Sequence, residues 1–593
     1  MKRNLLLPAC ILIFLVMTLQ LSCKKDSSPL IDPTTNTNVY NAAVRVNGSV
    51  SAFVTDENDL PVTGAAVTAG TGTATTDSRG FFEIKNVQLV KNAGFVTVDK
   101  TGYFKGIKTW VAEENKDAFF RIKLLPKTNA GTVSGTTGGD VTLTGGMKIS
   151  FPASAVINAS TNAAYTGTVT VNAKWLDPTS PELNSIMPGD LRGINTTGGL
   201  QMLTTYGMTA VELRGAGGEL LQIAPSKKAT LTMPIPAAIS GSAPASMPLW
   251  SFDETKGLWK EEGTTTKNGS NYVGEVSHFS FWNCDVPANY VQFNVTVNDA
   301  AGNPLTNAYV KLTVTSSGVS TYGYTNAAGY VSGAIPANTQ LLLNVLAKPN
   351  CSIVLHTQNF SSAATNISLG TISLLSNRTV RITGNLTTCN NLPVTNGRVY
   401  VAYDNSSVTV TANALGAYSV SFPICNSTSV NTALTGIDMS NLMQGATTTA
   451  VYQGGTTNPV NLQACGTPFG NEFFTLTYGT TPAVTYNMPI DSVWFNPNQT
   501  GSYQLTGKRI PPGRITQLYF QGTTLTIGQT IPVSYFFDNQ INIPGTTGTS
   551  NLLVTISEFG ASVVGYIAGT ISGTVMINNT PVTVSGSFRA RRP

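Results

Sequence analysis

Residues 46–87 read VNGSVSAFVTDENDLPVTGAAVTAGTGTATTDSRGFFEIKNV. Apolar residues alternate with polar ones on both sides of Asp56 to Leu60, a pattern that makes half-buried strands around a turn. Thr76-Asp77-Ser78-Arg79-Gly80 makes a second turn before the strand Phe81-Phe82-Glu83-Ile84, with Gly80 placed where a turn needs positive φ. The pattern recurs at 293–336, where Gly302-Asn303-Pro304-Leu305, Ala308-Tyr309-Val310 and Thr325-Asn326-Ala327-Ala328-Gly329-Tyr330 hold the same offsets. A divergent third copy runs from Gly384 through Leu392-Pro393-Val394, Gly397-Arg398-Val399 and Leu415-Gly416-Ala417-Tyr418. One β-rich unit is used three times.

Composition extends that reading to the whole chain. Only 11% of the 593 residues are charged, and Gly, Thr, Ser, Asn and Val dominate, which suits short strands joined by polar turns rather than helices. The length exceeds what one core supports. The fold class expected is all-β, tandem β-sandwich domains of prealbumin-like or immunoglobulin-like type. The boundaries expected are a signal at 1–22, a tether at 23–43, sandwiches at 44–126, 127–290, 291–376 and 377–466, and a β-rich domain at 467–593.

The order Gly48, Pro61, Gly64-Ala65, Val67, Thr76-Asp77, Gly80-Phe81 resembles the carboxypeptidase regulatory-like domain, a prealbumin-type sandwich. That resemblance implies a non-catalytic spacer or accessory module, the peptidase metal site belonging to a different domain. The fold is sometimes grouped with carbohydrate-binding ones, but a fold does not give a function.

The first 28 residues, MKRNLLLPACILIFLVMTLQLSCKKDSS, combine a positive start at Lys2 and Arg3, an apolar run from Leu5 to Leu19, and Leu21-Ser22-Cys23. This is the form of a secretory signal. It resembles the lipobox of bacterial lipoproteins, with Gln20 standing where the common pattern has Leu, and the resemblance implies acylation of Cys23 and a membrane anchor. Lys24-Lys25-Asp26 resembles the tag that directs some lipoproteins to the outer face of the outer membrane. With Lys2 and Arg3 removed, the formal charge falls from +5 to about +3 with no basic stripe, so nucleic acid is not an expected partner.

Export permits disulfides among the remaining Cys284, Cys351, Cys389, Cys425 and Cys465. Cys389 and Cys425 fall within one expected domain and are the expected pair. None has the spacing of a zinc site. With two histidines in the chain, His278 and His356, a three-His metal site and HExxH are excluded, and no phosphate-binding or dinucleotide fingerprint occurs. No metal or cofactor is expected. Glu113-Glu114 and Glu261-Glu262 are adjacent pairs, read as solvated turns rather than acid/base couples. His356, after Ile353-Val354-Leu355, reads as a strand-end residue. Trp110, Trp175 and Trp494 fit cores or a glycan-stacking platform.

Gly145-Gly146-Met147-Lys148-Ile149-Ser150-Phe151-Pro152-Ala153-Ser154-Ala155 resembles the opening of the β-sandwich found in ankyrins, netrin receptors and some death-domain adaptors, and Pro248 to Trp259 resembles astroprincin-type ectodomains. Ser277-His278-Phe279-Ser280-Phe281-Trp282-Asn283 closes this segment. The resemblance implies a self-cleaving His-Phe-Ser triplet: His278 takes the Ser280 proton, Ser280 Oγ attacks the Phe279 carbonyl, and water hydrolyses the ester. The same stretch also alternates as a strand with Phe279 and Phe281 in the core. Both readings stand on the sequence.

The run ending in Gly586-Ser587-Phe588-Arg589-Ala590-Arg591-Arg592 resembles the terminal domain of uncharacterised surface lipoproteins, its arginines fitting a binding edge or a charged edge strand. The expectation is a lipid-anchored, outer-membrane surface protein of sandwiches in series, a non-enzymatic structural, adhesive or ligand-presenting rod. A protein that cuts itself between Phe279 and Ser280, and a carbohydrate-binding accessory lipoprotein with a polysaccharide or protein ligand, are the alternatives.

Overall fold

The computed structural model describes residues 39–591, apart from Ser376, residues 426–427 and short stretches between 470 and 579, of which 542–550 and 560–565 are the longest. Cys23, the signal and the tether as far as residue 38 lie outside the described residues. Apart from the short helical turns Leu183–Ile186 and Ala237–Ser242, the regular elements described are strands.

The three repeated units share one topology. In the first, Arg45–Thr55 pairs antiparallel with Phe81–Val90 and parallel with Lys116–Lys123, facing a four-stranded sheet ordered Gly72–Thr75, Ala66–Ala69, Gly94–Asp99, Gly106–Trp110. In the second, Tyr290–Asp299 takes the first role, between Tyr330–Pro336 and Ile367–Leu374. In the third, Thr379–Thr387 lies between Ala417–Pro423 and the short parallel strands Thr457–Pro459 and Leu462–Gln463. Alternating residues such as Val50, Ala52 and Val54 fill the space between the sheets, as period-two strands require.

The turn before each antiparallel partner is built alike. Asp77 Oδ1 accepts from the backbone N–H groups of Arg79 and Phe81, Asn326 Oδ1 from Ala328 and Tyr330, and Asn413 Oδ1 from Leu415 and Ala417. Gly80, Gly329 and Gly416 follow at φ of 71°, 71° and 77°. A Cβ at these glycines would meet the carbonyl oxygen of Val54, Val297 or Leu386 within 2.3–2.4 Å, so only glycine fits.

Between the first and second copies lies a thirteen-stranded sheet assembly. Phe281–Ala288 runs between Leu200–Arg214 and Ser246–Asp253 and supplies both faces of the core. Trp282 and Cys284 face one apolar cluster, while Phe281 joins Trp250 and Trp259 in another. Phe104, Ile107 and Leu125 of the first copy complete that second cluster, so the two domains share a core. Trp250, Trp259 and Trp282 are fully buried, each contributing about 5 kcal/mol of transfer free energy for some 200 Å² removed from water.

The C-terminal domain is one nine-stranded antiparallel sheet wrapped around a single core that includes Phe474, Leu518, Phe520 and Phe588. Its last strand, Thr580–Arg591, pairs on both sides, with Phe473–Tyr478 and with Tyr566–Ile577. The expected edge strand is therefore an interior one. Arg589 pairs with Glu558 and stacks on Tyr566 at 3.7 Å, and Arg591 lies by Glu472; Arg592 falls outside the described residues.

The copies are not spaced along a rod. Arg121, on the strand Lys116–Lys123 of the first copy, donates to Asn307 Oδ1 of the second and to Ser406 Oγ and Ser407 O of the third. Its guanidinium lies 5.4 Å from the ring centres of Phe53 and Tyr324. Asn307 Nδ2 continues the network to Tyr403 Oη. Arg398 of the third copy reaches back to Glu83 and lies over Phe81. The described residues from Tyr40 onward accordingly form one compact unit.

The disulfides differ from the expected pair. Cys425 is joined to Cys351, and Cys389 to Cys465, leaving Cys284 as a buried free thiol. The sequence criterion of a shared domain failed because the second and third copies abut, bringing Cys351 to the end of the strand Ala417–Pro423.

Candidate functional site

The His278-Phe279-Ser280 triplet lies outside any strand. The strand Asn271–Val276 ends before it and Phe281–Ala288 begins after it, so residues 277–280 form a crossing segment. This break overturns the continuous-strand reading in one respect. Phe279 and Phe281 are both buried, at 7% and 4% exposed, but in different cores. Phe279 packs on Phe151 inside the central sandwich, and Phe281 on Phe104 of the first copy.

The segment is pinned from three strands, by two side chains and one backbone N–H. Gln222, on Leu220–Ile223, grips the backbone of Phe279 at both ends: Oε1 accepts from its N–H at 2.6 Å, and Nε2 donates to its carbonyl oxygen at 3.0 Å. The Ile223 N–H also donates to Gln222 Oε1, fixing the amide's orientation. Val211 N–H donates to Ser280 O, and Trp282 Nε1 to His278 O. Each bond to this buried backbone removes a desolvation cost of about 1–3 kcal/mol.

His278 and Glu262 form the titratable part of the site. Their facing atoms, Nε2 and Oε2, are 3.1 Å apart, and the imidazole leans on the Trp282 ring at 4.9 Å between centres. Ser251 Oγ donates to the same carboxylate oxygen at 2.7 Å, and Lys260 Nζ lies 3.5 Å from Glu262 Oε1. Burial opposes ionisation of Glu262, but the hydrogen bonds from Ser251 and His278 and the Lys260 charge outweigh it and hold the carboxyl below its ordinary range. Ser280 Oγ donates to Phe281 O at 3.1 Å. The arrangement thus brings a carboxylate to the imidazole and an amide donor to the Phe279 carbonyl, with the Ser280 hydroxyl next in the chain.

Glu262 and Gln222 escaped sequence reasoning. Glu262 sits within the strand Leu258–Asn268, so the expected solvated turn is corrected: it faces His278, while its neighbour Glu261 accepts from Thr196 N–H on the opposite side. Alternation along a strand was the available signal, but it needs the pairing of strands distant in sequence. Glu113 and Glu114 likewise make separate bonds, to Tyr330 Oη and Asn47. His356 opens the strand His356–Ser361. Trp110 packs on Phe120, Trp175 is half-buried and Trp494 is 40% exposed, and these three belong to different domains. Among the described residues no three His, Cys, Asp or Glu side chains cluster as metal ligands.

No family model matches the chain. An alignment 154 residues long, covering 23% of the chain, is 30% identical to human cartilage intermediate layer protein 2, and one 106 residues long is 35% identical to the mouse protein. The chain spans only 13% and 9% of those relatives. Among solved structures, shaft pilin SpaA from Lactobacillus rhamnosus GG is 10% identical, with 30% of this chain and 98% of that chain covered and a TM-score of 0.17. A streptococcal ancillary pilin covers 38% of this chain and 95% of its own at 9% identity and a TM-score of 0.14. The Bacillus anthracis TIE protein covers 69% and 72%, at 10% and 0.14. At such TM-scores the all-β tandem-sandwich fold rests on the sheets described above.

Proposed function

We propose that the chain is a non-catalytic structural or adhesive scaffold of the cell surface, tethered to the outer membrane through acylated Cys23. The observation that carries this reading is the junction at Arg121, where three copies of one sandwich meet through a shared guanidinium. Neighbouring copies are also joined by the Cys351–Cys425 disulfide. Such a body would resist shear and proteolysis without performing chemistry, because the copies are tied to one another by side-chain bonds and a disulfide. Detergent phase partitioning and intact mass of the full chain and its Cys23→Ala variant, with protease shaving of whole cells, test the anchoring. An acyl mass adduct lost in the variant supports it. A wild-type chain without adduct in the aqueous phase rejects it.

A second reading is self-cleavage between Phe279 and Ser280, favoured by the grip of Gln222 on the scissile residue. The pieces would stay together, because Phe281–Ala288 is hydrogen-bonded to Leu200–Arg214 and Ser246–Asp253. Denaturing gels and intact mass of the full chain beside Ser280→Ala decide it. Two fragments meeting at Phe279/Ser280 and absent from the variant support the cut, and an intact chain in both rejects it.

A further inference from the structure

Resting on the self-cleavage reading, we propose that Gln222 is a catalytic residue of that reaction, its Nε2 donating to the oxyanion that forms on Phe279 O, and that Glu262 positions His278 as the base. Neither residue belongs to the triplet, and they come from two strands that flank it.

The geometry determines the roles. With His278 Nε2 held by Glu262 at 3.1 Å, the lone pair of the neutral ring lies on Nδ1, which becomes the proton acceptor. Ser280 Oγ gives up its bond to Phe281 O, transfers its proton to His278 and forms a bond to the Phe279 carbonyl carbon. The carbonyl electron pair moves onto Phe279 O, where Gln222 Nε2 already stands 3.0 Å away. Collapse breaks the Phe279 C–Ser280 N bond, and the proton passes from His278 to the departing nitrogen, leaving an ester between Phe279 and Ser280 Oγ. Water then adds to the ester carbon through the same oxyanion, releasing the Phe279 carboxylate and restoring the Ser280 hydroxyl.

Gln222 also fixes the carbonyl before reaction. Its Oε1 holds the Phe279 N–H of the preceding peptide unit at 2.6 Å while its Nε2 holds the carbonyl oxygen of the scissile unit, so both peptide units flanking Phe279 are held and the carbonyl cannot turn without losing its donor. Burial of the Phe279 ring against Phe151 anchors the same residue from its side chain. The pair gives the crossing segment a carbonyl of fixed direction, which is what preorganised stabilisation of a developing charge requires.

The experiment follows the full chain from residue 24 onward after cell-free synthesis, measuring the half-life of the uncut form by denaturing gel and intact mass. Gln222→Glu keeps the acceptor for Phe279 N–H but removes the donor, and is expected to slow cutting by about 10²-fold or more, as loss of one oxyanion donor does. Gln222→Glu cutting at the wild-type rate overturns the donor role while self-cleavage stands. Glu262→Ala removes the acceptor facing His278 Nε2 and is expected to slow cutting, whereas Glu262→Gln keeps an acceptor there and is expected to restore most of the rate. Equal loss in the two variants, or none in either, overturns the positioning role. Thermal unfolding of each variant in a Ser280→Ala background separates chemistry from folding, and a wild-type chain that never cuts overturns the underlying reading with the proposal.

Discussion

Cys351 and Cys425 join the second copy of the repeated sandwich to the third across 74 residues of sequence. Cys351 is buried at the seam, beside a tyrosine cluster of Tyr309, Tyr322 and Tyr324. Closing a loop of that length removes chain entropy worth about 4 kcal/mol from the unfolded state. Cys351→Ser is therefore expected to lower the unfolding free energy by about that amount in denaturant titration under oxidising conditions. Non-reducing digestion should yield linked peptides pairing 351 with 425 and 389 with 465. A linked 389–425 peptide would contradict the arrangement.

Arg121 bonds to both of the other copies. Charge-assisted bonds to partly buried acceptors are each worth about 1.5–3 kcal/mol, and the aromatic faces add to them. Arg121→Met keeps the stem and removes the donors to Asn307, Ser406 and Ser407. The expected result is a loss of about 3 kcal/mol and faster amide exchange in the strands Tyr309–Val314 and Ser406–Thr411, with the central sandwich unaffected. Exchange confined to the Arg121 strand would mean the copies hold together without it.

What the sequence made legible follows from what is local. The turn of Asp77 and Gly80 and its two later copies could be read directly, because side chain, N–H donors and positive φ all lie within four residues. The strands were legible by alternation, and with them the fold class. The junction at Arg121 was not, since it joins residues some 186 and 285 positions apart and nothing near Arg121 marks it. The disulfide pairing failed for the same reason, domain membership being a weaker constraint than contact. The triplet was visible, but Gln222, 57 residues upstream of Phe279, and Glu262, 16 residues from His278, required strand order and register.

Lys108 gives the fold a pH dependence of definite sign. Its ammonium is buried at the seam of the first copy and the central domain, donating to the carbonyls of Asn184 and Met187. Burial pushes its pKa down to about 7, with the Asp190 charge opposing. The unfolded chain binds this proton up to its ordinary pKa near 10.4, so between about pH 7 and pH 10 the unfolded state holds more protons and stability rises with pH. Below pH 7 both states are protonated and the contribution is flat. Lys108→Met is expected to abolish this rise and to be as stable as the parent, or more so, at pH 7. An unchanged slope in unfolding free energy from pH 7 to 10 would refute the assignment.

The repeated turn yields opposite predictions for homologous positions. In the first copy Thr76 Oγ1 donates to Val62 O at 2.6 Å and accepts from Ala65 N–H at 2.8 Å, and Thr325 does the same with Leu305 and Ala308 in the second. The third copy has Ala412 there, buried, with its backbone N–H bonded to Gly397 O and no hydroxyl to offer. Thr76→Val leaves two buried backbone groups short of a partner and should cost about 1–3 kcal/mol. Ala412→Thr supplies the missing hydroxyl and should add about 1 kcal/mol, because Gly397 opposite has no side chain to displace. Gly416→Ala, three residues beyond Asn413, drives a Cβ into Leu386 O at positive φ and should cost about 2 kcal/mol or more. Thermal unfolding of the three variants tests the set. If Ala412→Thr destabilises as much as Thr76→Val, the third copy has repacked around its alanine and the turns are not equivalent.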